Sequence, residues 1–545
     1  MEPLNVLSGF GAMRSGMGCE RLEGRGFAAA LAICIAQGLI PATAAPIAQP
    51  LDGLEEMLQL PTAVAPVLGQ VMPAHPCESL LTTRLSNDAM VRDASIEPGK
   101  GSASEWCRVT IEIRSPPAPD IVTVWLVLPI DHWNGRFLGL GGGGWVSGFP
   151  AALDAGAALG FATAITNAGL SVDHEEPGRL VRPDGSLLDI DGGLNWTVLE
   201  NFAYRSVHEM TVVGKAVTRV FYGLAPRYAY FSGCSTGGRQ GQSEVQRYPQ
   251  DYDGVLSGAP AINWAHFAAA QFWPVAVVSE LHAVSQCKFN VAHQAAVAAC
   301  DGDDGVRDGL VSEVGSCHFD AKALVGMGTD CGVIDAQDAE VINRIWDGPR
   351  RTDGSRLWNG IDRAALIHSP SSPTHWAEPF FDGKAPDADG LSMAAFEILF
   401  DQMVERYAAI MDTANPDLRT FAEHGGKTIL WHGVADDTIP AAGTLHYVES
   451  IRRTMGQGKT DVFLRLYLAP GVRHCMGGDG PQPVGLLEPL MEWVERGRAP
   501  ATVRSENRDP AGNVARTRPL CPYPERARYQ GRGSLRDAAN FRCRR

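Results

Sequence analysis

The run Gly233-Cys234-Ser235-Thr236-Gly237 fits the pattern G-x-S-x-G. In that pattern a serine occupies a strained turn between a strand and a helix. The flanking glycines let backbone segments pass closely, and the helix N-terminus favours developing negative charge. A serine hydroxyl is a weak nucleophile at neutral pH and needs a positioned base. The chain order that goes with this turn is serine, then acid, then histidine. GVADDTIP supplies Asp436 and Asp437, and APGVRHCMGG supplies His474 in a glycine-rich loop. Asp436 is preferred over Asp437 because it lies three residues beyond Gly433, where the strand KTILWHG ends. His432, beside that strand end, reads as a packing or supporting residue. Gly141 to Gly144 follow an early strand, where backbone N–H groups can approach an oxyanion. The expected donors are the amides of Gly142 and of Thr236, the residue after the nucleophile.

These residues need a scaffold, and the surrounding pattern supplies one. RYAYFSG is a strand leading into the serine turn, with a helix after it. CRVTIEI alternates, DIVTVWLVLP is a nearly continuous apolar run, and NGRFLGL, GFATAIT, DGVLSGAP, KTILWHG and DVFLRLYLAP read as further strands. Asn201 to Phe221 is a helix candidate ending at Tyr222-Gly223. Strands alternating with helices imply a mostly parallel sheet covered on both faces, here an α/β-hydrolase fold. Residues 45–263 and 428–545 form the expected catalytic domain. Residues 264–427 break the rhythm, read as irregular and aromatic-rich, and are expected to form an inserted lid over the strand ends. Residues 46–75 read as a surface lead-in.

Composition limits the partners. Of 545 residues, 62 are acidic and 47 basic, a formal charge of −15. That excludes a general nucleic-acid binder. Hydrophobic content of 45% and a mean hydropathy of −0.08 are ordinary for a soluble globular protein. No apolar run is suited to an internal membrane span. Phe27 to Leu39 is apolar, preceded by Arg21 and Arg25 and followed by Pro41 and Ala42-Thr43-Ala44, the layout of a secretory signal over residues 1–44. Removing it takes Cys19 and Cys34 and leaves ten of the twelve cysteines, an even number that suits a secreted or periplasmic disulfide framework. The last 45 residues hold eleven arginines and four acids. They read as a solvated segment pinned by Cys521 and Cys543 rather than as a polyanion-binding patch.

Cys234 directly precedes Ser235, and Cys475 directly follows His474. If serine and histidine meet, these cysteines come within reach of a disulfide. With this pattern in GCSTGGRQG, GVADDTIP and RHCMGG, the chain resembles the tannase/feruloyl esterase family, which includes the mono(2-hydroxyethyl) terephthalate hydrolases. GGGGW, SGAPAINW and the C-terminal PLCPYPERARYQGRGSLRDAANFRC fit as well. The resemblance implies a serine carboxylic ester hydrolase acting on a small aromatic-acid ester of feruloyl, galloyl or terephthaloyl type. Other esters, or a non-catalytic calcium-stabilised binding protein, are the competing readings. Trp264, Phe267, Phe272, Trp273, Trp358, Trp376 and Phe381 are lid aromatics that could stack on the acyl ring, although lid core is the commoner role for each singly.

The loop beginning Cys300-Asp301-Gly302-Asp303-Asp304 is dense in Asp and Gly, as suits a hard cation bound by oxygens. It is not an EF-hand, because Ser312 stands where the twelfth-position Glu belongs. The resemblance implies a structural Ca2+ held by Asp301, Asp304 and Asp308 with the carbonyls of Val306 and Leu310. The remaining cysteines are expected to pair as Cys77–Cys107, Cys300–Cys317 and Cys521–Cys543, with Cys287–Cys331 left over. Spacing alone does not fix that connectivity.

Overall fold

Nine strands build the central sheet. They are β1 (Ala89–Pro98), β2 (Glu105–Arg114), β3 (Ile121–Pro129), β4 (Arg136–Leu140), β5 (Ala162–Thr166), β6 (Tyr228–Cys234), β7 (Gly254–Gly258), β10 (Lys427–Gly433) and β11 (Leu464–Ala469). A small hairpin, β8 (Gly328–Thr329) and β9 (Gly332–Val333), lies apart in the insertion. The sheet order is β1-β2-β3-β5-β4-β6-β7-β10-β11. The β1, β2, β3 and β5 pairings are antiparallel, and every pairing from β5 to β11 is parallel. The computed structural model describes residues 54–69, 71–86, 88–99, 105–114, 120–170, 193–368 and 390–545. The segment expected to be a secretory signal, residues 1–44, therefore lies outside the described residues.

The strand chemistry follows the layers. β2 alternates, burying Val109, Ile111 and Ile113, whereas β4, β5 and β7 are buried throughout. That is the difference between an edge with one wet face and a parallel centre covered on both. One core packs the helix Ser206–Tyr222 against the sheet around Phe137, Phe231 and Leu430. The opposite core gathers Tyr230, Trp431, Tyr467 and Trp493. The expected helix from Asn201 begins as a π turn, Asn201–Arg205, and continues as Ser206–Tyr222. It stops at Gly223, whose φ of 71° suits a left-handed helix cap.

Three expectations are corrected. The insertion is helical rather than irregular: Trp264–Ala270, Trp273–Glu280, Gln286–Cys300, Ala336–Asp347, Met393–Met411 and Arg419–Glu423 are helices. Its apolar residues share one core with Trp145, Val198 and Phe202 of the preceding segment. The lead-in is not all surface. Met57 and Leu58 are buried, Leu58 O accepts the Ser232 hydroxyl at 2.6 Å, and Ala65 O accepts Arg136 Nη1 at 2.8 Å.

The C-terminal segment is the third correction. It folds as β13 (Val503–Arg508) and β14 (Val514–Leu520), which join β12 (Gln482–Pro483) in one sheet, and as β15 (Arg526–Tyr529) and β16 (Phe541–Arg544) in another. Four of its arginines reach the acidic loop of the insertion, Arg518 fully buried and Arg526 still exposed. Arg518 pairs with Asp308, Arg526 pairs with Glu313, Arg516 Nη2 donates to Asp308 O at 3.0 Å, and Arg528 Nη1 donates to Asp304 O at 2.8 Å.

Candidate active site

β6 ends at Cys234 and the helix Thr236–Arg247 begins two residues on. Ser235 takes the corner between them with φ 62° and ψ −121°. A side chain in that region costs of order 1–3 kcal/mol, so the surroundings must hold it there. Ser235 N–H donates to Gly258 O at 3.0 Å, and Gly237 N–H donates to Gly142 O at 3.0 Å. The two motif glycines make this possible. A Cβ on Gly233 would stand 2.6 Å from the Gly237 carbonyl carbon, and one on Gly237 would stand 2.8 Å from Gly142 O.

β10 and β11 deliver the other two residues. The Ser235 Oγ–H donates to His474 Nε2 at 2.9 Å, and His474 Nδ1–H donates to Asp436 Oδ2 at 2.8 Å. Asp436 Oδ1 accepts the amides of Thr438 at 2.9 Å and Ile439 at 2.8 Å. The Asp436 carboxylate is fully buried. Burial alone would raise its pKa, but the His474 charge and hydrogen bonds from His432 and His474 hold it well below the usual carboxylate range. Burial likewise pulls His474 down, and the charge of Asp436, its hydrogen bond and then the charge of Asp437 lift it above an ordinary histidine. Asp437 itself turns to His368, with Oδ2 2.9 Å from Nε2. His432, also buried, faces both Asp436 Oδ2 at 3.0 Å and Ile439 O at 2.9 Å with Nε2, so that nitrogen carries the proton. Its Nδ1 meets the Thr444 hydroxyl at 2.9 Å.

The glycine-rich loop lies against the serine turn, but Gly142 is not a free donor. Its amide donates to Gln240 Oε1 at 3.0 Å. The expectation of an oxyanion amide there is corrected: Gly142 is a close-packing glycine, since a Cβ would stand 1.8 Å from Val146 O. Gln240 was not singled out in the sequence, and it clamps this loop through Gly142 N and Ser147 O. The Thr236 amide has no acceptor among the described hydrogen bonds. The Thr236 hydroxyl donates to Gly144 O at 2.6 Å, tying the loop to the nucleophile helix.

Cys234 and Cys475 are bridged, with Cα atoms 6.0 Å apart. The bond joins the strand end carrying the serine to the loop carrying the histidine. Cys475 has φ 62°, an uncommon conformation for a residue other than glycine. Cys77–Cys107, Cys287–Cys331, Cys300–Cys317 and Cys521–Cys543 are also paired.

The family model described as tannase and feruloyl esterase matches residues 107–397 and 380–544. The chain belongs to the tannase and feruloyl esterase family. It is 38% identical to a probable feruloyl esterase of Arthroderma benhamiae, over 87% of this chain and 94% of that one. It is 30% identical to the mono(2-hydroxyethyl) terephthalate hydrolase of Piscinibacter sakaiensis, over 76% of this chain and 80% of the other. The crystal structure of feruloyl esterase B from Aspergillus oryzae superposes with a TM-score of 0.76 at 25% identity, covering 86% of this chain and 99% of that one. These likenesses establish the α/β-hydrolase fold and place the chain among carboxylic ester hydrolases.

Within this family fold, Arg239 on the nucleophile helix is fully buried. Its Nη1 and Nη2 donate to Ala203 O at 2.6 Å and Phe202 O at 3.0 Å, in the π turn. Its guanidinium lies 5.2 Å from the ring centres of Phe202 and Trp264. Burial pushes its pKa down to about 9, against the pull of Asp412. The sequence signal was a lone Arg in a motif helix, GGRQG, which has no apolar periodicity to mark it as buried. Trp264, Phe267, Phe272 and Trp273 are buried in the insertion core. Trp358 is partly buried and its ring centre lies 4.9 Å from that of His266. Trp376 and Phe381 lie outside the described residues.

The acidic loop is held by hydrogen bonds to its own carboxylates. Asp301 Oδ1 accepts the amides of Asp308 and Gly309 at 2.8 Å and of Leu310 at 3.2 Å. Asp304 Oδ1 accepts Val306 N–H at 3.0 Å, while its Oδ2 accepts the Ser312 hydroxyl at 2.5 Å. The Asp308 side chain is 3% exposed, with Oδ2 on Arg518 and Oδ1 buried without a hydrogen-bond partner among the described residues. The orphaned buried oxygen of Asp308 suits a hard cation, while the Asp301, Asp304 and Asp308 carboxylates do not all lie within 4.8 Å of one another.

Proposed function

We propose that this chain is an exported serine esterase that cleaves esters of aromatic acids through an acyl-enzyme. The observation that carries the reading is the relay of Ser235 Oγ to His474 Nε2 at 2.9 Å and His474 Nδ1 to Asp436 at 2.8 Å. Ser235 Oγ attacks the ester carbonyl as its proton passes to His474 Nε2. Asp436 holds the imidazole with Nδ1 protonated and stabilises the imidazolium that forms. The Thr236 amide meets the oxyanion of the tetrahedral intermediate. That intermediate collapses, the C–O bond to the alcohol breaks, and His474 returns its proton to the leaving alkoxide. Water then attacks the acyl carbon, giving its proton to His474. The acid departs and Ser235 recovers its hydroxyl proton.

The aromatic acyl class rests on family membership and on the names of the relatives, a feruloyl esterase and a terephthalate monoester hydrolase. Export rests on the N-terminal pattern and on five disulfides, which persist in oxidising compartments. The Asp301, Asp304 and Asp308 carboxylates, with the carbonyls of Val306 and Leu310, would hold Ca2+. Bound there, the ion supplies loop rigidity and no chemistry.

The test is a hydrolysis panel of methyl ferulate, methyl gallate, mono(2-hydroxyethyl) terephthalate and p-nitrophenyl acetate. At least one aromatic ester should turn over faster than the acetate, and Ser235→Ala should lose roughly 10⁶-fold in kcat. Hydrolysis of none, or an undiminished Ser235→Ala variant, refutes the reading.

A further inference from the structure

At the C-terminal end of the nucleophile helix, three side chains that the ester chemistry does not use come together. Glu244 lies in the last turn of that helix, His208 in the first turn of Ser206–Tyr222, and Asp251 in the loop before β7. One donor atom of each lies within 4.8 Å of the other two. His208 Nδ1 and Asp251 Oδ2 are 2.6 Å apart. Glu244 is 1% exposed, and neither of its carboxylate oxygens has a hydrogen-bond partner among the described groups. Its carboxyl faces that of Asp251, acid to acid. Such a contact, out of water, persists only with a proton or a cation to balance the charge.

Lys215 does not fill that role directly. Its Nζ donates to the Asp251 backbone carbonyl and rests 5.4 Å from the Tyr252 ring centre. Burial pulls its pKa down against the charges of Asp251, Asp253 and Glu244.

We propose that His208, Glu244 and Asp251 form a binding site for a divalent first-row transition ion of the Zn2+ class at the base of the nucleophile helix. An imidazole nitrogen with two carboxylates suits such ions, whereas Ca2+ and Mg2+ take oxygen donors. This separates the site chemically from the loop at 301–310. Donors about 2.0–2.2 Å from a tetrahedral ion stand roughly 3.3 Å from one another, so the His208–Asp251 pair opens by less than about 1 Å on taking it. A second group, His282, Asp335 and Asp338, has comparable donors. Asp338 Oδ1 is likewise buried without a hydrogen-bond partner among the described residues, but this group already holds a cation and a cap: Asp338 Oδ2 takes the Lys288 ammonium at 2.6 Å, and Asp335 accepts two helix amides. An ion on His208, Glu244 and Asp251 would join two helices and a loop, so it acts on the stability of the scaffold under Ser235.

The test is calorimetric titration of the full chain with Zn2+ in excess Ca2+, alongside Glu244→Gln, His208→Asn and Asp338→Asn. Wild type and Asp338→Asn should bind one equivalent, and Glu244→Gln and His208→Asn should bind at least about tenfold more weakly. Zn2+ should raise the Tm of wild type and leave that of Glu244→Gln unmoved. Gln keeps the shape of the protonated acid, so this variant retains its fold, and its Tm without Zn2+ checks that. Absence of stoichiometric binding overturns the proposal. So do binding unchanged in Glu244→Gln and His208→Asn, loss of binding in Asp338→Asn, and an equal Tm rise in Glu244→Gln.

Discussion

Asp436 carries four hydrogen bonds, two from histidines and two from amides, and so has one orientation available. It was legible over Asp437 from its distance to the strand end. What the sequence did not show is that Asp437 still acts on the site at a distance. His474 must be neutral to accept the serine proton, so a raised pKa moves the acidic limb of kcat/KM above the ordinary value of about 6.5. Asp437 contributes to that rise by its charge. Asp437→Asn should therefore move the acidic limb to lower pH while leaving the alkaline plateau nearly unchanged, as a pH–rate profile on any hydrolysed ester would show. A limb that stays put or moves upward contradicts the assignment. Linkage gives the opposite sign for stability. Protonated His474 favours the fold fully below about pH 6.5, and that contribution is lost as pH rises through the raised folded value.

The strand ends and turns are what bring these groups into register, and the disulfide Cys234–Cys475 is the shortest covalent link between them. The histidine loop departs from β11 as five residues, Pro470 to His474, with Cys475 in a positive-φ conformation. Replacing both cysteines by serine frees that loop from the nucleophile turn. A misplacement of about 1 Å in a catalytic group can cost on the order of 10²-fold. The double variant should therefore lose one to two decades of kcat with KM changed far less. An equal rise in KM with kcat intact would show that the bond shapes the substrate cleft instead. The central-sheet strands from β2 onward were readable, β2 from its alternation and the others from apolar runs bounded by glycine, proline or turn residues. β1 was not: Met90, Glu97 and the rest of its exposed face break the alternation, and its pairing with β2 is an edge antiparallel contact set by register. The insertion helices were also missed. Met393–Met411 does carry a stripe of buried residues at helical spacing, Phe396, Leu399, Phe400, Met403, Tyr407 and Met411, and Ala336–Asp347 buries Ala339, Ile342 and Trp346 on one face, so the signal was present and was passed over for the aromatic and Asp/Gly-rich composition around it. Gly142 failed for a different reason, since which of four adjacent glycines points an amide at a site depends on Gln240, a residue with no motif of its own.

At the scale of the whole molecule, the charge of −15 is not spread evenly, and the structure shows where the two signs meet. The arginine-rich C-terminus, read from sequence as solvated, closes over the acidic loop of the insertion and so ties the last strands of the chain to the insertion. Arg518 and Asp308 are the deepest of these contacts, at 1% and 3% side-chain exposure, with the Arg518 guanidinium 4.4 Å from the Phe541 ring centre. Removing one member of a buried pair leaves an uncompensated charge, at a cost of about 3–5 kcal/mol. Arg518→Ala should therefore lower Tm by several degrees. If the proposed Ca2+ shares Asp308, added Ca2+ should restore part of that loss, because the ion compensates the same carboxylate. Chelation of the wild type by EGTA should lower Tm while leaving kcat on a small ester unchanged at 25 °C, since neither the loop nor the tail supplies a reacting group. An Arg518→Ala protein of unchanged Tm would refute the coupling between tail and insertion, and a Tm indifferent to EGTA would refute the ion.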